Sequence, residues 1–118
     1  FKRCRRLLEV GCGVGAQTEI LLRRFPDLHV TGIDASPKNL PRAKEHLQRV
    51  PWAEGRFQLV MADAAQMDFE MDSFDSAFLC WVLEHVGVPM RVLSEVRRVL
   101  RPGSPVVITD CLLYTSDA

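Results

Sequence analysis

The chain has 118 residues, enough for one domain of ordinary size. Hydrophobic residues make up 47% and charged residues 25%, which supports a packed core and excludes a mainly disordered chain. Lys plus Arg total 15 and Asp plus Glu total 15, so the zero formal charge argues against a strongly basic nucleic-acid binder and against an acidic tail protein. No apolar run approaches the length of a membrane span, and no signal peptide is expected. Cys4, Cys12, Cys80 and Cys111 form no C-x-x-C pair and match no disulfide framework, so reduced thiols in a cytoplasmic protein are expected. His29, His46 and His85 lack zinc-ligand spacing, and no metal is expected. The chain opens on Phe1 instead of Met, and it is expected to be a fragment.

In chain order, residues 6–10 (RLLEV) read as a buried strand that ends at Gly11-Cys12-Gly13-Val14-Gly15. A helix is predicted over 16–25, with Ala16, Ile20 and Leu21 on its apolar face and Arg23 and Arg24 at the negative end of its dipole. Residues 28–34 (LHVTGID) form the second strand. Ser36-Pro37 has the form of an N-cap and first helical position, although Pro41 would suit a start near itself. Leu40, Ala43, Leu47 and Val50 share a face of that helix. After a loop at 51–55, residues 56–61 form a third strand closed by Ala62-Asp63, and 64–73 form an acidic loop. A fourth strand is predicted over 74–80, a helix over 89–100 and a fifth strand over 105–109. Val92, Leu93, Val96, Val99 and Leu100 supply the helix's apolar side.

Strands and helices alternate as β-α-β-α-β-(α)-β-α-β, which predicts an α/β fold. Its form is a Rossmann-like, doubly wound parallel sheet with right-handed crossovers, truncated after strand five. Residues 111–118 (CLLYTSDA) do not fit this alternation and are expected to be a non-native tail of cloning or sequencing origin, leaving 1–110 as the domain core.

A glycine turn between strand and helix lets the backbone approach a ligand and presents free N–H groups at a positive helix end. Such turns also occur for purely structural reasons. Gly11-x-Gly13-x-Gly15 is one pattern, and Gly11-x-Gly13-x-x-Ala16 also satisfies the dinucleotide fingerprint. Asp34 ends the second strand, where its carboxylate can accept both hydroxyls of a ribose; a turn-forming Asp ahead of Ser36-Pro37 is the structural alternative. Asp63, at the end of the third strand, could accept a hydrogen bond from an adenine amino group. Lys2, Arg3, Arg5 and Arg6 could touch phosphate, but an exposed lead-in to the first strand explains them. Met61, Met67, Met71 and Met90 are expected to pack in core or loop, and Asp68, Glu70, Asp72 and Asp75 to form a solvated face.

LLEVGCGVG, GIDAS, the Asp63 position, FDSAFLCWVLEHV and EVRRVLRPG fall in order over residues 7–110. Together they resemble class I S-adenosylmethionine-dependent methyltransferases, in particular domains acting on small molecules, and the implied strand order is 3-2-1-4-5. The resemblance implies that Glu9 orients the glycine loop and the methionine part of the cofactor. It places Gly11, Cys12, Gly13 and Gly15 beside the methionine moiety and gives Asp34 the ribose. Ala35 flanks adenine, Asp63 and Ala64 meet its edge, and Cys80 and Trp81 approach the methionine amine and reacting methyl. Transfer from a sulfonium needs chiefly positioning, with a base where the acceptor must lose a proton. His85 is the base candidate, with a pocket-shaping role as its alternative. A small-molecule acceptor is expected, with no nucleic acid and no membrane. An NAD(P)-dependent oxidoreductase and a non-catalytic partner-binding module are the alternatives.

Overall fold

A computed structural model of the chain describes residues 3–80 and 89–109. Its elements are β1 (Arg6–Val10), α1 (Ala16–Arg24), β2 (His29–Asp34), α2 (Asn39–Gln48), a 3₁₀ turn (Pro51–Ala53), β3 (Phe57–Met61), β4 (Ser76–Cys80), α3 (Pro89–Val99) and β5 (Val106–Thr109). The five strands form one sheet in the order β3-β2-β1-β4-β5, every neighbouring pair parallel. This is the Rossmann-like order expected above. The helix allowed for between strands three and four is absent: residues 62–75 cross from β3 to β4 as a loop.

Both sheet faces are covered, so side chains alternate between two apolar layers. Leu7 and Val30 enter one layer with Leu21 and Leu22 of α1 and Leu47 of α2. Leu8, Val10, Ile33 and Leu79 enter the other with Val92, Val96 and Val99 of α3, joined by Ala64 and Met67 from the 62–75 loop. No helix among the described residues is long and apolar enough to cross a membrane.

Several local expectations change. In α1 the buried face is Thr18, Leu21 and Leu22, while Ile20 is 47% exposed and Ala16 faces solvent. α2 starts at neither proline: Lys38 is its N-cap, so Pro41 falls in the first turn, where backbone N–H groups have no intrahelical acceptor. Ser36 serves one step earlier, its hydroxyl accepting the Lys38 N–H at 3.3 Å. Arg23 pairs with Glu19 along α1. Arg23 and Arg24 stand in the last turn of α1 as expected, while the carbonyls there and in the turn that follows are met by Arg56, whose guanidinium donates to Leu22, Phe25 and Leu28 oxygens at 2.9, 2.8 and 3.1 Å. Asp75 is half-buried and does more than line a solvated face: its carboxylate accepts the Arg5 and Arg6 N–H groups at 2.9 and 3.0 Å and fixes the start of β1. Met67 is buried in the core, but Met61, Met71 and Met90 are exposed.

One close approach joins the sheet to the loop after β1. A Cβ on Gly32 of β2 would lie 2.9 Å from the Cβ of Cys12 and 3.2 Å from Leu59 Cδ2. Gly32→Ala is therefore expected to destabilise the chain by roughly 1–3 kcal/mol, as overpacking does in a filled interior. Urea unfolding checks this. Cys12→Ala should not rescue it, because the nearest atom is the Cβ itself.

Candidate active site

Because the strands are parallel, β1, β2, β3 and β4 all end at one edge of the sheet, with Val10 beside Ile33 and Leu79, Asp34 beside Met61, and Cys80 beside Thr109. The loop after β1 is stitched to β2 along this edge. Gly11 and Cys12 N–H groups both donate to the Ile33 carbonyl, at 2.9 and 3.0 Å, and Gly13 N–H donates to Asp34 Oδ2 at 2.8 Å. Gly13 has a φ of +56° and nothing within 4 Å of a built Cβ, so the backbone is bare on its open side. Gly15 caps α1 with a φ of +89°, and a Cβ there would lie 3.4 Å from Ala43 of α2.

Asp34 is half-buried. Its second oxygen accepts the Ser36 N–H at 2.8 Å, and the Asn39 amide stands 3.5 Å from both oxygens. Each carboxylate oxygen has two acceptor directions. One strong N–H bond to each leaves capacity for hydroxyl donors.

Glu9 lies beneath the loop with no exposed surface. Its Oε1 accepts the Thr18 hydroxyl from α1, and its buried Oε2 has no hydrogen-bond partner. Burial raises its pKa to about 8; the Thr18 bond opposes this and the nearby Asp34 charge adds to it. Cys12 is buried against Gly32, and burial, with the charges of Glu9 and Asp34, pushes its thiol up to about 12. Its side chain is a packing element.

Ala35 is exposed at the edge beyond β2. Asp63 is exposed and closes a turn: Oδ1 accepts the Ala65 N–H at 2.8 Å and its carbonyl accepts Gln66 N–H at 3.0 Å. Ala64 turns its side chain into the α3-side core. Glu9, Cys12, Gly13 and Asp34 are thus brought together directly, while Ala35, Asp63 and Cys80 share the edge at the ends of neighbouring strands. Trp81, His85 and the tail at 111–118 lie outside the described residues. The Ser36 N–H bond to Asp34 is the turn allowed for as the structural alternative, whereas the parts of Thr18 and Asn39 were not foreseen. Thr18 carried one available signal, a polar residue at helical spacing from Leu21 and Leu22. A cavity of about 460 Å³ lies away from this edge, between the end of α3 and β5, lined by Leu93, Val96, Arg101 and Val106 among others. The glycine-loop edge, where the backbone donors and the two carboxylates converge, is the better candidate.

These features define a Rossmann-like α/β domain with a glycine-loop site at the carboxyl edge of its sheet. The methyltransferase domain family model matches residues 8–108, and the chain belongs to that family. It is 33% identical over 111 residues to O-methyltransferase rstn1 of Aspergillus nomiae, covering 94% of this chain and 48% of that protein. It is 37% identical to a phosphatidylethanolamine N-methyltransferase of Cereibacter sphaeroides, covering 89% and 50%. Among solved structures, Haemonchus contortus phosphoethanolamine N-methyltransferase 2 in complex with S-adenosyl-L-methionine is 30% identical at a TM-score of 0.82, over 92% of this chain and 24% of that one. SpnF, a [4+2]-cyclase, is 28% identical at a TM-score of 0.84, over 90% and 38%. The chain spans about half or less of the length of these relatives. The nicotinamide and partner-module alternatives find no support in these matches.

The raised Glu9 pKa has a direct consequence. Between its unfolded value near 4.5 and its folded value near 8, the folded state binds the extra proton. The associated stability is present below the unfolded value and is lost as pH rises through the folded one, at up to roughly 1.4 kcal/mol per pH unit. Glu9→Gln, permanently neutral, is expected to flatten this part of the pH–stability curve and to unfold at higher urea than the parent above about pH 8. An unchanged slope in the variant would remove Glu9 as its source.

Proposed function

We propose that this domain binds S-adenosylmethionine at the glycine-loop edge and that the whole protein transfers the methyl group to a small-molecule acceptor. The observation that carries the reading is the 2.8 Å bond from Gly13 N–H to Asp34, which joins the glycine loop and a ribose-type carboxylate in one site. The residues fit the group. Gly13 leaves an open backbone surface, Asp34 retains acceptor capacity, and Glu9 Oε2 is a buried polar atom with no partner. In this reading Gly11, Cys12, Gly13 and Gly15 face the methionine part through their backbone, and Glu9 orients the loop. Asp34 holds the ribose, Ala35 flanks adenine, Asp63 and Ala64 meet the adenine edge, and Cys80 and Trp81 stand near the methionine amine. When bound, the cofactor supplies a methyl group already activated on a sulfonium. His85 is the base candidate for an acceptor that must lose a proton.

Relatives named for sterol, phosphatidylethanolamine, rifamycin and malonyl-carrier substrates support a small or lipid-like acceptor. Because SpnF is a cyclase, the fold alone does not define the reaction, and cofactor binding must be measured. The unpaired Cys4 and Cys12 suit a reducing compartment, and we infer the cytoplasm.

Calorimetric titration is expected to show binding of S-adenosylhomocysteine and none of NAD. Asp34→Ala should weaken that binding about 10- to 100-fold, the scale of one or two charge-assisted hydrogen bonds. Binding of NAD alone overturns the cofactor reading, and an unaltered affinity in Asp34→Ala overturns the ribose assignment.

A further inference from the structure

The EVRRVLRPG phrase of the last helix has no place in the site described so far, yet two of its side chains reach back to the loop that carries Asp63. Glu95 and Arg98 lie three residues apart on α3 and therefore share a face. Glu95 Oε1 accepts the Met67 N–H at 2.7 Å. Arg98 donates to the Met67 carbonyl at 2.8 Å and to the Phe69 carbonyl at 2.6 Å. The two side chains also bind each other, with Arg98 Nε 2.7 Å from Glu95 Oε2 and a second contact of 3.1 Å to Oε1. Both main-chain groups of Met67 are thus held by one ion pair.

The loop depends on this pair because residues 62–75 contain no helix or strand that would satisfy their backbone. Its near end is tied at Ala62, whose N–H donates to the Asp34 carbonyl at 3.2 Å. Its next fixed point is Met67, with the side chain in the core and the main chain on α3. The Asp63–Gln66 turn is suspended between these two points, with Ala64 as its only buried side chain. Hydrogen bonding to Arg98 holds the Glu95 carboxyl below the usual carboxylate range, so the pair is charged at neutral pH.

We propose that Glu95 and Arg98 are positioning residues that set selectivity for adenine, by fixing Met67 and through it the turn that presents Asp63. The inference rests on the adenine reading of Asp63 given above. A pair that merely stabilised the domain would weaken all ligands alike. A pair that aims Asp63 affects only ligands bearing the adenine amino group.

The test titrates the whole chain with S-adenosylhomocysteine and with its analogue carrying unsubstituted purine, which lacks that amino group. The parent is expected to prefer the adenine compound by about tenfold, the scale of one hydrogen bond to a charged group. Arg98→Met and Glu95→Gln should shrink that preference to about twofold or less, with the loss confined to the adenine compound. In an Asp63→Ala background Arg98→Met should cost nothing further, because the two act in one chain of contacts. If Arg98→Met does not fold, Glu95→Gln carries the comparison, since its neutral amide keeps the side-chain volume but removes the carboxylate that orients Arg98 on the Met67 and Phe69 carbonyls. An unchanged preference in a folded variant, equal weakening of both ligands, or additive losses overturns the clasp. A parent that binds both compounds equally overturns the adenine role of Asp63, and one that binds neither overturns the cofactor reading and the clasp with it.

Discussion

The candidate site depends on three consecutive residues at the end of β2, each of which holds the loop after β1 in a different way. Gly32 leaves the space that the Cys12 side chain fills, the Ile33 carbonyl accepts two loop N–H groups, and the Asp34 carboxylate accepts a third. A loop of glycines has no side chains of its own to order it, and each glycine carries a large conformational entropy cost. Parallel pairing of β1 with β2 solves this by placing a carbonyl and a carboxylate from one strand beside the backbone donors leaving the other. The same carboxylate also takes the Ser36 N–H, so one side chain organises the turns after both strands.

Beneath the loop, the molecule accepts an arrangement that stability alone would not select. Glu9 is fully buried with one oxygen unpaired, beside a buried thiol and within the field of Asp34. Desolvation disfavours its charged form, and Thr18 answers only one of its oxygens. Such departures from the rules of polar burial gather at functional sites. In the proposed reading they are the cost of keeping a titratable carboxyl under the loop, where a positively charged ligand favours its ionised form.

The two sheet faces play unequal parts. On one, α1 and α2 close on the loop side, so that a Cβ added to Gly15 would lie at van der Waals distance from Ala43. On the other, α3 covers the sheet and also fastens the 62–75 loop through Glu95 and Arg98. β5 pairs only with β4 among the described residues, and Val106, Val107 and Ile108 are exposed.

What could be read along the chain was local in origin. Short apolar runs marked all five strands, the prolines and glycines marked most breaks, and the glycine loop with Asp34 marked the edge where the site lies. These signals survive because period and turn chemistry depend on neighbours a few residues apart. The buried face of α1 was misread, since Ile20 and Thr18 exchange roles according to how the helix rests over Glu9. Arg56 closing α1, Asp75 gripping the start of β1, and Glu95 with Arg98 holding Met67 were also illegible. Each joins residues separated by about 30 to 70 positions, and only the order in which strands pair brings them within hydrogen-bond distance. The sequence by itself determined the kinds of elements and the chemistry available at the sheet edge. Tertiary structure decided which buried polar groups find partners, because a hydrogen bond needs its two atoms within about 3 Å of each other.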